Sequence, residues 1–171
     1  MLIFLLKILV NLGECKPIIH HDDIISIGFK FNGYNISFRD SQQILINSLA
    51  KLGKAFGVET LKSIFPYTFV NEDNLNYVGE VLNIKSFSNL SKEVYNNYKI
   101  QFNNNWNLRD EAIKYCEIDC VSLYQIIIKF NGMIFELFNI NIHKYPTLSS
   151  LAFAIYRSHF LKIKFDSAII R

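Results

Sequence analysis

The segment from Asp22 to Ser41, DDIISIGFKFNGYNISFRDS, constrains the fold more than any other. Ile25, Ile27, Phe29 and Phe31 alternate with Ser26, Gly28 and Lys30. Beyond them Tyr34, Ile36 and Phe38 alternate with Asn35, Ser37 and Arg39. Period-two alternation places one set on a buried face of a strand. Asn32-Gly33, between the two runs, suits a two-residue type I′ turn because both residues tolerate positive φ. The segment predicts a β-hairpin with one buried face.

The chain has 171 residues, half of them apolar, which is enough to fill one domain core. That apolar content excludes a disordered tail. A net charge of +3 with no Lys/Arg block permits a nucleic-acid partner without arguing for one. Three cysteines are an odd count and suggest no disulfide framework, so a reducing compartment is expected. The opening MLIFLLKILV is interrupted by Lys7 and is shorter than the roughly 20 residues a bilayer requires. It lacks a basic leader region and a small-residue cleavage site, so it reads as a core element and no membrane partner is expected.

Leu45, Leu49, Leu52 and Phe56 fall at helical spacing, with Gly57 as the C-cap. Residues 61–81 read as loop or short extended pieces, since Pro66 discourages helix. A polar excursion follows, with a short helix after Ser91. Asn107 then caps the strongest helix, and Asp110 and Glu111 suit its positive end. Ile113, Cys116, Cys120, Leu123, Ile127 and Phe130 are expected to form its apolar stripe, and Gly132 to bend or interrupt it. Thr147 is the N-cap of a final helix. The succession of hairpin, helices and loops reads as α/β or α+β.

Within the strongest helix Tyr115 and Asp119 are four residues apart and project from one side. A carboxylate beside a phenol can hold a divalent cation and orient its water, as metal-assisted phosphodiester hydrolysis requires. From spacing alone, a solvated Asp beside an amphipathic Tyr is the plainer reading. Cys116 and Cys120, with Cys15, His20 and His21, do not make a familiar zinc spacing, and the cysteines are expected in the core.

Five segments in order, FRDSQQILINSLAKLGKAFGV, LKSIFPYTFV, LNYVGEV, NWNLRDEAIKYCEIDCVSLYQII and YPTLSSLAFAIYRSHFL, resemble the protein-primed family B DNA polymerases. The resemblance covers nearly the whole chain and is strongest to the polymerases of mitochondrial linear plasmids. It implies the later part of a 3′–5′ exonuclease domain with a ribonuclease-H-like α/β fold over residues 1–140. Residues 141–171 would then begin the connection to the polymerase domain. YCEID resembles the third exonuclease motif, which implies Asp119 as a ligand of catalytic Mg2+ or Mn2+ and Tyr115 as the residue positioning the attacking water. KSIF resembles the family's Lys-x-x-hydrophobic motif, which implies Lys62 near the scissile phosphate, with Phe65 and Tyr67 on the single strand. The single-strand serine motif has two candidates. Ser48-Leu49 fits its sequence, whereas Ser41 fits its distance from Lys62 but has Gln42 where Leu is expected. The implied partners are a single-stranded 3′ DNA end, a terminal-protein primer and the rest of the polymerase, in a mitochondrion.

The departures from the family pattern are equally specific. Nothing before residue 40 offers the DxE strand that supplies two further carboxylates, and no SLYPS-like or YxDTDS-like polymerase segment is present. The chain is therefore expected to be a polymerase fragment. It should lack the first strand of the exonuclease sheet, bind Mg2+ weakly and be inactive in isolation, with an unpaired edge and marginal stability. The alternatives are a non-catalytic single-strand-binding remnant and an untranslated relic.

Overall fold

The structure, a computed structural model, describes residues 2–58, 64–88, 90–102 and 104–161. It is mixed α and β. Helices α1 (Leu2–Leu9), α2 (Leu49–Ala55), α3 (Lys92–Lys99), α4 (Leu108–Phe138) and α5 (Leu148–Ile155) accompany two small antiparallel sheets. One sheet is β1 (Glu14–His20), β2 (Asp23–Phe31) and β3 (Tyr34–Arg39) in that order. The other pairs β4 (Val78–Gly79) with β5 (Trp106–Asn107). The chain divides into two compact units, residues 1–48 with 128–171, and residues 49–127.

In the first unit the expected hairpin forms, with Phe31 paired to Tyr34 and Ser26 to Arg39. Asn32 and Gly33 both have positive φ, as a type I′ turn requires. A second such turn precedes it, where His21 and Asp22 take φ of 46° and 64° and fold β1 onto β2. Helix α1 covers one face of this meander. Leu2 and Leu9 pack with Ile27 and Phe29, and Leu5, Leu6, Cys15, Ile24 and Phe38 complete the cluster. One face of the opening apolar run is therefore part of the core, while Ile3, Phe4, Ile8 and Val10 are exposed.

The buried face is smaller than alternation predicts. Ile27 and Phe29 are buried and Phe38 partly so, but Phe31, Tyr34 and Ile36 are exposed. Helix α1 packs on β1 and β2, and the end of the hairpin and the β3 edge extend beyond its cover.

Two helix expectations also need correcting. The helix expected from Leu45 starts only at Leu49. Residues 41–43 form a 3-10 turn capped by Asp40, whose carboxylate accepts from the Gln42 amide, and Leu45 is buried ahead of the helix. Polar caps compete with helix propagation through local side-chain hydrogen bonds. The far end does match: Gly57 has φ 57°, and Val58 N–H donates to Gly53 O at 2.8 Å, the Schellman ending. Gly132 does not interrupt α4, which runs unbroken to Phe138 and ends on Asn139 at φ 51°. A glycine in a helix interior costs only about 1 kcal/mol against alanine, which the surrounding turns absorb.

Thr147 caps α5 as expected, in a reciprocal box with Ser150. By length and composition alone α4 could cross a bilayer. Its first residue, Leu108, packs into the core of the second unit.

Candidate functional site

The second unit is built around Trp106. Its ring is wholly buried among Val81, Phe87, Tyr98 and Leu108. The indole Nε1–H donates to Tyr98 Oη at 2.6 Å, and Tyr98 O–H donates to Glu111 Oε2 at 2.8 Å. Glu111 also accepts from Lys114 Nζ at 2.7 Å. The carboxylate of Glu111, a residue only 8% exposed, is thus partnered on both oxygens. Tyr98 lies on α3, whose N-cap Ser91 accepts from Val94 N–H as expected. Asn107 Oδ1 accepts from the Arg109 and Asp110 amides and caps α4. These contacts fix the start and rotation of α4.

That rotation differs from the one expected. Leu108, Glu111, Ser122, Ile126, Phe130 and Ile134 are buried, and Tyr115 and Asp119, partly buried, lie on the same line. Of the expected stripe, Phe130 is buried and Leu123 and Ile127 are half-buried, but Ile113, Cys116 and Cys120 are exposed. The inward strip is shifted by one residue from the most apolar line because Glu111 finds buried partners.

Residues 64–69 are held against α4. Pro66 is fully buried, and its carbonyl accepts from Phe69 N–H at 3.0 Å. Thr68 Oγ1 donates to Ser86 O, and Phe69 O accepts from Asn74 Nδ2. This turn presents Phe65 and Tyr67 to Tyr115. Phe65 stacks on Tyr115 with centroids 4.8 Å apart and planes 25° apart, while Tyr67 meets Tyr115 edge-on at 5.7 Å. Tyr67 O–H donates to Tyr115 Oη at 2.8 Å. Tyr115 is also hydrogen-bonded to the Asp119 carboxylate. The Tyr67 hydrogen bond, partial burial and Asp119 together hold the Tyr115 phenol well above the ordinary tyrosine range, so it remains a neutral donor.

Four of the predicted site residues, Phe65, Tyr67, Tyr115 and Asp119, therefore meet in one cluster. Spacing had identified Tyr115 with Asp119, but the Tyr67–Tyr115 hydrogen bond, across 48 residues, has no local sequence signal. Lys62 lies outside the described residues. Ser41 and Ser48 belong to the first unit, while Leu49, partly buried, begins α2 in the second. Asp119 is the cluster's one carboxylate. Among the described residues no three His, Cys, Asp or Glu side chains stand together closely enough to hold a metal ion. This donor set does not fit a two-cation phosphodiester site, which takes several carboxylates.

A family model of type B DNA polymerases, organellar and viral, matches residues 2–170. The chain belongs to that family. It is 40% identical to a probable DNA polymerase of Neurospora intermedia and 41% identical to one of Ascobolus immersus, each over 93% of the chain. It is 35% identical, over 86% of the chain, to one of Podospora anserina. The matched regions are 18%, 14% and 13% of those three polymerases, so the chain spans less than a fifth of their length. It corresponds to one segment of a type B DNA polymerase. No solved structure matches it.

The Tyr98 network has a measurable pH signature. Burial, then the Glu111 contact, raises the Tyr98 pKa above its ordinary value despite the opposing hydrogen bond from Trp106. Below pH of about 10 the residue is neutral in both folded and unfolded chains, and its contribution is constant. Above that the unfolded tyrosine ionises while the folded one resists. Stability should then fall as pH rises toward the raised folded value. Urea titrations at pH 8 to 11 should show this fall, and it should be shallower in Tyr98→Phe. An equal fall in the variant would assign it to other tyrosines.

Proposed function

We propose that the cluster of Phe65, Tyr67, Tyr115 and Asp119 is part of the 3′–5′ proofreading exonuclease site of a protein-primed DNA polymerase. In this reading residues 1–140 belong to a ribonuclease-H-like exonuclease domain, and residues 141–171 begin the connection to the polymerase domain. The observation that carries it is the Tyr115 hydroxyl, held between Tyr67 and Asp119 with Phe65 stacked on its ring. Phe65 and Tyr67 offer π-faces and edges to the unstacked bases of a single-stranded 3′ end. Tyr115, neutral and fixed between Tyr67 and Asp119, would position the attacking water by accepting from it through its remaining lone pair. Lys62 would supply positive charge near the phosphate, and Ser41 or Ser48 with Leu49 would contact the strand. The organellar character of the family supports a mitochondrial, plasmid-borne setting. The wider partners are the rest of the polymerase and a terminal-protein primer.

Asp119 would contribute one ligand to Mg2+ or Mn2+, but it is too few for the two-cation chemistry, and no hydrolytic step is assigned to these residues alone. The isolated chain is accordingly a binder without turnover. Fluorescence anisotropy with a 3′-labelled single-stranded oligonucleotide should show binding that weakens as salt rises. The same mixture with Mg2+ or Mn2+ should leave the label undigested. No binding at low salt would remove the reading. Metal-dependent digestion that disappears in Asp119→Ala would instead show that the chain holds a complete catalytic set.

A further inference from the structure

The corrected rotation of α4 leaves Cys116 and Cys120 on its outer side, both exposed and one turn apart. They line one groove of about 680 Å³ in the second unit. Leu75, Ala112 and Ile113 form its apolar wall, with Glu117 and Arg109 at its polar part. Neither cysteine serves the tyrosine cluster, and neither is needed to fill the core.

The spacing discriminates between the two things a cysteine pair can do. Side chains at i and i+4 on a helix both tilt toward its N-terminus and run side by side. A disulfide needs sulfurs about 2.05 Å apart and converging Cβ vectors, so the pair is poorly placed to oxidise to one. A bridging metal relaxes that demand. Taking the zinc–thiolate length of about 2.3 Å as the guide, two metal–sulfur bonds allow the sulfurs to stand up to about 4.6 Å apart, within reach of neighbouring helical turns.

Thiolates select soft ions, chiefly univalent copper and zinc. Structural zinc takes four protein ligands. Among the described residues no third His, Cys, Asp or Glu joins this pair in a metal-holding group. Univalent copper is satisfied by two thiolates. We propose that Cys116 and Cys120 form a two-coordinate dithiolate site for univalent copper on the outer face of α4. Two S–H bonds are replaced by two S–Cu bonds, two protons go to solvent, and the metal keeps its oxidation state.

Anaerobic titration of the whole chain with univalent copper, competed by bathocuproine disulfonate, tests the site. One ion per chain is expected. Cys116→Ser and Cys120→Ser should each weaken binding by about 100-fold or more, because the second thiolate acts at high effective concentration. Cys15→Ser should leave binding unchanged. Both outer cysteines are exposed, so serine there should not disturb the fold, and circular dichroism of the variants checks this. Affinity undiminished in either outer variant would overturn the proposal, as would failure to compete with the chelator. Zn2+ binding as tight as copper in a parallel titration would also overturn it, since that requires ligands beyond the pair.

Discussion

Trp106→Ala is expected to destabilise the second unit by about 3–5 kcal/mol, the range for truncating a large buried aromatic. The ring has no exposed surface, and its Nε1–H is a partner of Tyr98. Removing it empties the centre of the Val81, Phe87, Tyr98 and Leu108 cluster and deletes one hydrogen bond from a buried chain that ends on Glu111. The loss should exceed that from Tyr98→Phe, which keeps the ring and removes only the hydroxyl. Urea unfolding followed by far-UV circular dichroism measures both. Trp106 is the one tryptophan of the chain, so its fluorescence in the native protein reports on the second unit alone. A change below about 1 kcal/mol would mean that the pocket collapses readily and that the start of α4 is fixed by its Asn107 cap.

That network explains why the phase of α4 was not legible in the sequence. The most apolar line on the helix runs through Ile113, Cys116 and Cys120, and hydrophobic periodicity selects it. The buried line includes Glu111 and Ser122. Periodicity treats a glutamate as outward-facing, whereas Glu111 is inward because Tyr98 and Lys114 satisfy its carboxylate. Those partners are respectively 13 residues away and one turn along the helix. A one-residue shift of phase moved the cysteines from core to surface and brought Tyr115 and Asp119 inward.

Features set by local chemistry were legible. Asn32-Gly33 defined its turn because both residues tolerate the conformation it requires. Gly57, Ser91, Asn107 and Thr147 defined helix ends for the same kind of reason. The His21-Asp22 turn escaped because neither residue is a glycine, and Pro17 in the strand before it obscured β1. Tyr115 and Asp119 were identifiable as a pair on one helix. That Phe65 and Tyr67 join them depends on the buried Pro66 and the Thr68–Ser86 contact, which turn a loop toward α4.

Tyr67 separates the two tasks of the cluster. The residue is 54% exposed, so truncation should leave the core nearly intact. Tyr67→Ala removes both the stacking surface and the hydroxyl that donates to Tyr115. Single-strand affinity should fall by about 1–3 kcal/mol, roughly 5- to 150-fold, if a base stacks there. Tyr67→Phe keeps the ring and removes only the donor, so affinity should remain near that of the native chain. Anisotropy titrations of the two variants at one fixed salt concentration make the comparison. Losses of the same size would place the Tyr67 hydroxyl, not its ring, at the strand and would remove base stacking from the proposed site. A loss confined to Tyr67→Ala would leave the Tyr67–Tyr115 hydrogen bond with one task, which is to hold Tyr115 beside Asp119 in the proposed site.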